Sequence, residues 1–219
     1  MSVGPCSESV CNLILNISKE EKQKFQSEFV YGILNAIKRP WFVFHFIRRP
    51  DVNLDAFAEV VMNINKRFPD YHEFIVSEVT SEVKHIFVEL SRGNLDDLTM
   101  LYLKKLGRFL GLVTLTQNRI VFDKDLDMKA FLYDAILESK DVLLYVLAFM
   151  TQFLRGLNGS LIRPYNPYVI RILRVLKLLY DQRSTDCDIK TEINALCGAI
   201  GVKIEDISDF KFVVKKLVD

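Results

Sequence analysis

The sequence predicts an all-α protein, and three observations carry that prediction. Helix start and stop signals recur roughly every 15 to 25 residues. Between them, apolar residues fall three and four apart, the period of one helix face. Alternating runs of β-branched and aromatic residues bounded by turns, the mark of strands, are nearly absent.

The elements follow in chain order. Ser18 and Glu21 form a capping box ahead of EKQKFQSEFVYGILNAIK, in which Phe25, Phe29, Ile33 and Ile37 share a face, and Pro40 ends that helix. WFVFHFIRR follows as a short aromatic helix closed by Pro50, and Asn53 is placed to cap LDAFAEVVMNINKRF, which Pro69 stops. Asp70 opens DYHEFIVSEVTSEVKHIFVELSR, with Phe74, Val79, Val83, Ile86, Phe87 and Leu90 as its buried stripe and Gly93 as its C-terminal stop. A helix from about Leu95 to Thr116 comes next, then the loop QNRIVFDKDLD, then MKAFLYDAILES, which is amphipathic. DVLLYVLAFMTQFLRGL is apolar on almost every side, so it belongs between neighbouring helices. After the loop NGSLIRPYNP come YVIRILRVLKLLYDQ, IKTEINALCGAI and EDISDFKFVVKKLV.

These make about ten helices, mostly paired through loops short enough to keep neighbours antiparallel. About 40 residues per helix pair is the spacing of HEAT-type repeats. No linker rich in Pro, Gly or Ser interrupts the chain. The expectation is therefore one domain over residues 1–219, an α-solenoid of about five HEAT-like antiparallel helix pairs. The start at MSVGPCSE and the domain-sized length suggest a piece excised from a longer scaffold.

One of these helices contains LKKLGRFLGLVTLTQNR, residues 103 to 119. Gly107 and Gly111 stand four apart in its interior, where each costs about 1 kcal/mol relative to alanine. That spacing would suit a membrane dimer face. The longest stretch without a formal charge, Val142 to Leu154, falls well short of the ~20 apolar residues that a bilayer requires. The pair is expected instead to be a seam where a second helix approaches closely and gains dispersion contacts, with a ligand contact as the alternative.

Charge and motif content exclude several classes. Lys and Arg number 29 against 28 Asp and Glu, a formal net charge of +1, so the whole chain lacks the electrostatic footprint of a nucleic-acid binder. Any RNA contact would be local or indirect. The N-terminal stretch has neither the pattern of a secretory leader nor that of an Arg-rich transit peptide, which points to an intracellular protein. Cys6, Cys11, Cys187 and Cys197 form no CxxC and have no histidine close in sequence, so free thiols are favoured over a zinc site. His45, His72 and His85 are scattered, and no HExxH, GxSxG or phosphate-cradling glycine loop appears. Asp96 with Asp97, and Asp123, Asp125 and Asp127, could be imagined as the paired carboxylates of a helical hydrolase or nuclease. Each cluster stands at an expected helix start, where carboxylates cap free N–H groups and meet the positive end of the dipole. No enzyme, cofactor or metal is expected.

Two segments look more like docking surfaces. In RPYNPY, Arg163 to Tyr168, Asn166 is a good N-cap and Pro167 suits the first helical position, while Pro164 and Tyr165 stiffen the approaching loop. Rigid loops with exposed aromatic and Arg side chains make interface hot spots at low entropic cost; loop geometry alone explains the prolines, and Tyr165 and Tyr168 stay equally open to packing and to partner contact. KRPWFVFHFIRRP concentrates Trp41, three phenylalanines and the basic residues Lys38, Arg39, Arg48 and Arg49. It reads as a core helix with a basic rim first, a protein-docking surface second and an RNA surface third.

LGRFLGLVTLTQNR, DLDMKAFLYDA, LLYVLAFM, RPYNPY and EINALCGAIGVKIEDI together resemble the middle-domain, MIF-four-G type HEAT-repeat module of the Not-one scaffold family of the Ccr-Not deadenylase complex. The match is dense from about Leu103 to Ile207, whereas the first hundred residues or so share mainly the helical plan. The chain departs from the family pattern at Phe109 and Tyr168, where tryptophan is usual, at Tyr165, where a second proline is usual, and at Thr191, where phenylalanine is usual. The resemblance implies a non-enzymatic platform that binds a DEDD-type poly(A) deadenylase, the Caf or Pop subunit. On another surface it implies a Dhh-type DEAD-box RNA helicase, which acts in translational repression and decapping. Other Ccr-Not subunits would join through the rest of the scaffold, in the cytoplasm and processing bodies, with a nuclear pool also open.

On that plan Pro164, Tyr165, Asn166, Pro167, Tyr168 and Arg171 are the expected deadenylase-facing residues, and Arg48, Arg49, Asn53 and Phe57 the expected helicase-facing ones. The alternative is an initiation-factor-four-gamma-like or RNA-binding HEAT domain.

Overall fold

A computed structural model describes residues 40–207. The expected first helix with its Ser18 and Glu21 capping box, Cys6, Cys11, and the last expected helix beyond Ile207 lie outside the described residues. Every regular element among the described residues is helical, and none is a strand, so the predicted all-α class holds. The chain divides into two compact units, Met1–Glu78 and Val79–Asp219, and helix α3 runs from the first into the second.

In the first unit, α1 (Pro40–Arg48) and α2 (Leu54–Arg67) precede α3 (Asp70–Ser91). Val43, Phe46 and Ile47 of α1 are fully buried while Arg48 at its end is exposed, as expected of a core helix with a basic rim at this end; Lys38, Arg39 and the Trp41 side chain lie outside the described residues. Phe46 stacks on Phe57 of α2 with ring centroids 4.8 Å apart. The Asn53 carboxamide accepts a hydrogen bond of 3.1 Å from the Ala56 N–H, so the expected N-cap fixes where α2 begins. Asn65, buried near the other end of α2, accepts from the His72 N–H at 3.1 Å and sets the turn into α3.

The second unit holds the rest of α3 and six further α-helices among the described residues: α4 (Asp97–Val113), α5 (Asp123–Leu126), α6 (Met128–Glu138), α7 (Lys140–Leu154), α8 (Pro167–Asp181) and α9 (Cys187–Ala199). Caps place their starts. Asp96 accepts from the Thr99 N–H at 2.7 Å, Asp127 from Lys129 and Ala130 at 3.0 Å each, and Ser139 from Val142 at 3.2 Å. Gly93, at φ +88°, takes the left-handed conformation that ends α3. Helix α5 is one short turn inside a segment expected to be loop, and α4 ends at Val113, three residues before its expected limit, in a 3₁₀ turn over Leu115–Gln117.

Helix α7 packs against α4, α6 and α9, which explains why it is apolar all round. Helix α8 packs on α6 and α9, and Phe87 of α3 meets Phe131 of α6 edge to face at 5.1 Å. Within this unit α7 contacts both α4 and α9, and α6 contacts α8, so helices that are not consecutive in the chain also pack on one another, as in stacked helix pairs. The stretch Lys140–Gly159 is long and apolar enough by composition to cross a membrane, but 72% of it is buried within the protein. Its apolar surface is satisfied by neighbouring helices.

The glycine seam lies between α4 and α7. A Cβ at Gly107 would press on the backbone carbonyl oxygen of Phe149, and one at Gly111 on that of Phe153. Gly156, just past α7, completes the seam: a Cβ there would sit 2.6 Å from the Gly111 carbonyl oxygen. The backbones touch because Gly107 and Gly111 put no side chain between α4 and the carbonyl groups of Phe149 and Phe153, and the close approach offsets the propensity cost of glycine.

Candidate functional site

Two loops of the second unit, one after α4 and one after α7, run beside each other and are tied at several levels. The Thr116 hydroxyl donates to the Gly156 carbonyl at 3.1 Å. The Asn118 side-chain oxygen accepts from the Leu161 N–H at 2.6 Å and from the Ser160 hydroxyl at 3.1 Å. Further along, the Tyr168 ring is buried and its hydroxyl lies by the Val121 backbone, where burial raises its pKa above the usual phenol value. Arg171 then grips Asp123 with both terminal nitrogens, at 3.2 and 3.0 Å, and lies 5.9 Å from the Tyr168 ring centroid. A paired Arg–carboxylate fork on the surface adds geometric precision more than stability.

The ties leave apolar tips in solvent. Phe122, Leu161 and Tyr165 are 58%, 77% and 75% exposed, and Lys124 lies 5.8 Å from the Phe122 ring centroid. Exposed bulky side chains on a braced backbone are what a protein partner can use at low ordering cost.

The expected deadenylase-facing residues separate into two groups. Tyr165 and Pro167 are exposed, Pro164 and Asn166 are half-buried, and Arg171 is exposed but engaged with Asp123. Tyr168, 6% exposed, faces the core instead, so it anchors the loop from below. Asn166 accepts from the Tyr168 N–H at 2.9 Å and starts α8 as its N-cap, with Pro167 next to it as expected. The expected helicase-facing residues divide in the same way. Arg48 is exposed and Arg49 half-buried, whereas Asn53 is occupied as an N-cap and Phe57, 3% exposed, is a core ring beneath α1. The physical reason is common to both buried aromatics: each lies on the inner face of the first turn or so of its helix, where packing takes the ring, while the Tyr168 N–H donates to the Asn166 side chain and the Phe57 N–H to the Asn53 backbone carbonyl.

The carboxylates considered for chemistry have structural tasks. Asp96 caps α4, and its pKa is lowered by hydrogen bonds from the Thr99 N–H and the Thr99 hydroxyl. Asp123 holds Arg171, and Asp127 caps α6. Cys187 is exposed between Asp186 and Asp188, whose ligand atoms with its own lie within 4.8 Å of one another. Those two carboxylates instead share the Lys140 ammonium, at 2.9 Å each, and so tie the start of α7 to the start of α9. Their hydrogen bonds raise the Lys140 pKa, and Lys140 lowers that of Asp186. Cys197 is buried, which pushes its thiol pKa up to about 11.

Sequence reasoning missed Asn118, Phe122 and Leu161. Asn118 lay inside a recognised segment, but its partners are more than 40 residues away. Phe122 and Leu161 stood in loops where one apolar residue carries no periodic signal.

A family model described as the CCR4-NOT transcription complex subunit 1 CAF1-binding domain matches residues 5–218. The general negative regulator of transcription subunit 1 of Schizosaccharomyces pombe is 26% identical over 227 aligned positions, covering 98% of this chain and 10% of that protein. The protein of the same description from Saccharomyces cerevisiae is 24% identical over 160 positions, 73% of this chain and 7% of its own length. The CCR4-NOT transcription complex subunit let-711 of Caenorhabditis elegans is 32% identical over 106 positions, 48% of this chain and 4% of that protein. The chain thus spans a tenth or less of the length of these relatives.

Proposed function

The chain belongs to the CAF1-binding domain family of CCR4-NOT transcription complex subunit 1, and from that premise we propose that it is a non-enzymatic docking module for a Caf-type, DEDD-family deadenylase. The observation that carries the reading is a family match over almost the whole chain, residues 5–218, to a domain defined by what it binds. The braced loops give that reading a candidate surface: Tyr165, Leu161 and Phe122 are exposed apolar contacts, and the Arg171–Asp123 pair lies beside them. Such a face binds by burying a few large side chains that are already held in place.

A second surface, centred on Arg48 and Arg49, docks a Dhh-type DEAD-box helicase, with Asn53 and Phe57 shaping the helices beneath it. Holding both partners on one scaffold raises the effective concentration of each at the same mRNA, so two modest interfaces suffice to couple poly(A) shortening with translational repression and decay. Other Ccr-Not subunits join through the rest of the scaffold, and the assembly works in the cytoplasm.

Co-purification tests this reading. The chain should retain the deadenylase and the helicase of its own organism at micromolar concentration, and it should not shorten poly(A) alone. Retention of neither partner refutes the platform. RNA affinity of the isolated chain that falls steeply with salt would point to the RNA-binding alternative, because phosphate neutralisation releases counterions.

A further inference from the structure

Among the described residues Asn118 is the only non-glycine with a positive φ, 60°. The left-handed region is disfavoured for L residues, and a glycine would meet the same backbone requirement without strain. What glycine lacks is the side-chain oxygen, and here that oxygen accepts from both Leu161 N–H and Ser160 Oγ. Ser160 Oγ in turn accepts from the Ile162 N–H at 2.9 Å. The next backbone bond in this loop is the Asn166 to Arg163 turn at 2.9 Å. Ser160 is also tied by its own N–H to the Leu157 carbonyl at 3.0 Å, so it is the course from Ser160 through Leu161 that rests on a carboxamide supplied by another loop.

We infer that Asn118 is the positioning residue of the docking face: without touching the partner, it holds Leu161 in place and leads the loop into the Arg163–Tyr168 turn that presents Tyr165. The inference rests on the reading above that this face docks the deadenylase. The side-chain oxygen acts only as an acceptor, so aspartate can replace asparagine, whereas glycine retains the turn but removes the latch. An unlatched loop must be ordered at the moment of binding, and that cost appears in affinity.

The test measures deadenylase affinity by calorimetry, amide exchange at Leu161 and thermal stability for the whole chain and for Asn118→Gly and Asn118→Asp. Glycine should weaken binding about tenfold and speed Leu161 exchange by a similar factor, while its Tm moves by less than about 3 °C because relieved backbone strain opposes the lost hydrogen bonds. Aspartate should restore binding and protection. Unchanged affinity in the glycine variant, or an equal loss in both variants, overturns the inference while leaving the docking function standing. If the unsubstituted chain does not bind the deadenylase, the proposed function falls instead. The latch is then judged by exchange, and unchanged Leu161 exchange in the glycine variant overturns it as well.

Discussion

Two chemically identical substitutions, Gly107→Ala and Gly198→Ala, should shift stability in opposite directions. At Gly107 the new Cβ would press on the Phe149 carbonyl oxygen and lie 3.2 Å from both the carbonyl carbon and Cδ2 of Phe149. The obstruction is mainly backbone of a buried helix, so it cannot swing aside like a surface side chain, and α4 and α7 must separate. Overpacking of this kind costs about 1–3 kcal/mol. Alanine returns about 1 kcal/mol of helix propensity, leaving a net loss of up to about 2 kcal/mol. For a unit of this size that lowers Tm by up to about 6 °C. At Gly198, near the end of α9, an added Cβ would meet nothing within 4 Å and φ is not positive, so alanine there should raise stability by about 0.5–1 kcal/mol. Thermal unfolding followed by circular dichroism reads both variants. A Gly107→Ala protein as stable as its Gly198→Ala counterpart would refute the seam, and Gly107→Leu should be worse than either.

The two tyrosines of the α8 entry should behave differently: Tyr165→Ala should weaken deadenylase binding with Tm unchanged, whereas Tyr168→Ala should cost about 3 kcal/mol through loss of a buried ring, seen in denaturant unfolding. Because hydrogen bonds hold the folded Asp96 pKa below its unfolded value of about 3.9, its stabilisation is present above that pH and is lost as pH falls through the folded value. Asp96→Asn should therefore flatten the acid limb of a Tm-against-pH curve, and an unaltered limb would remove Asp96 from the account. Of the two described cysteines, Cys187 should label with a thiol reagent in the native protein and Cys197 only after unfolding, as mass spectrometry of the labelled peptides would show.

Helix boundaries were legible because their causes are local. Asn53, Asp70 and Asn166 marked starts, and Gly93 a stop, since a cap acts within a few residues of itself. The glycine pair was readable as a seam, but its partners were not: Phe149, Phe153 and Gly156 meet it only through tertiary packing. The same limit explains Tyr168 and Phe57. A proline-marked loop or a basic cluster nearby suggested exposure, yet which face of a first turn points inward depends on the helices that cover it. Arg171 was recognised without Asp123, its partner 48 residues earlier, and Asn118 went unnoticed because its role exists only when two distant loops lie side by side.

Docking of a Caf-type deadenylase is the proposal on which the others rest, and sedimentation tests it most directly. The chain mixed with a catalytically inactive Caf-type deadenylase at micromolar concentration should sediment as one complex of summed mass, and Tyr165→Ala should shift it toward the free components. Two independent boundaries for the unsubstituted chain would contradict the account.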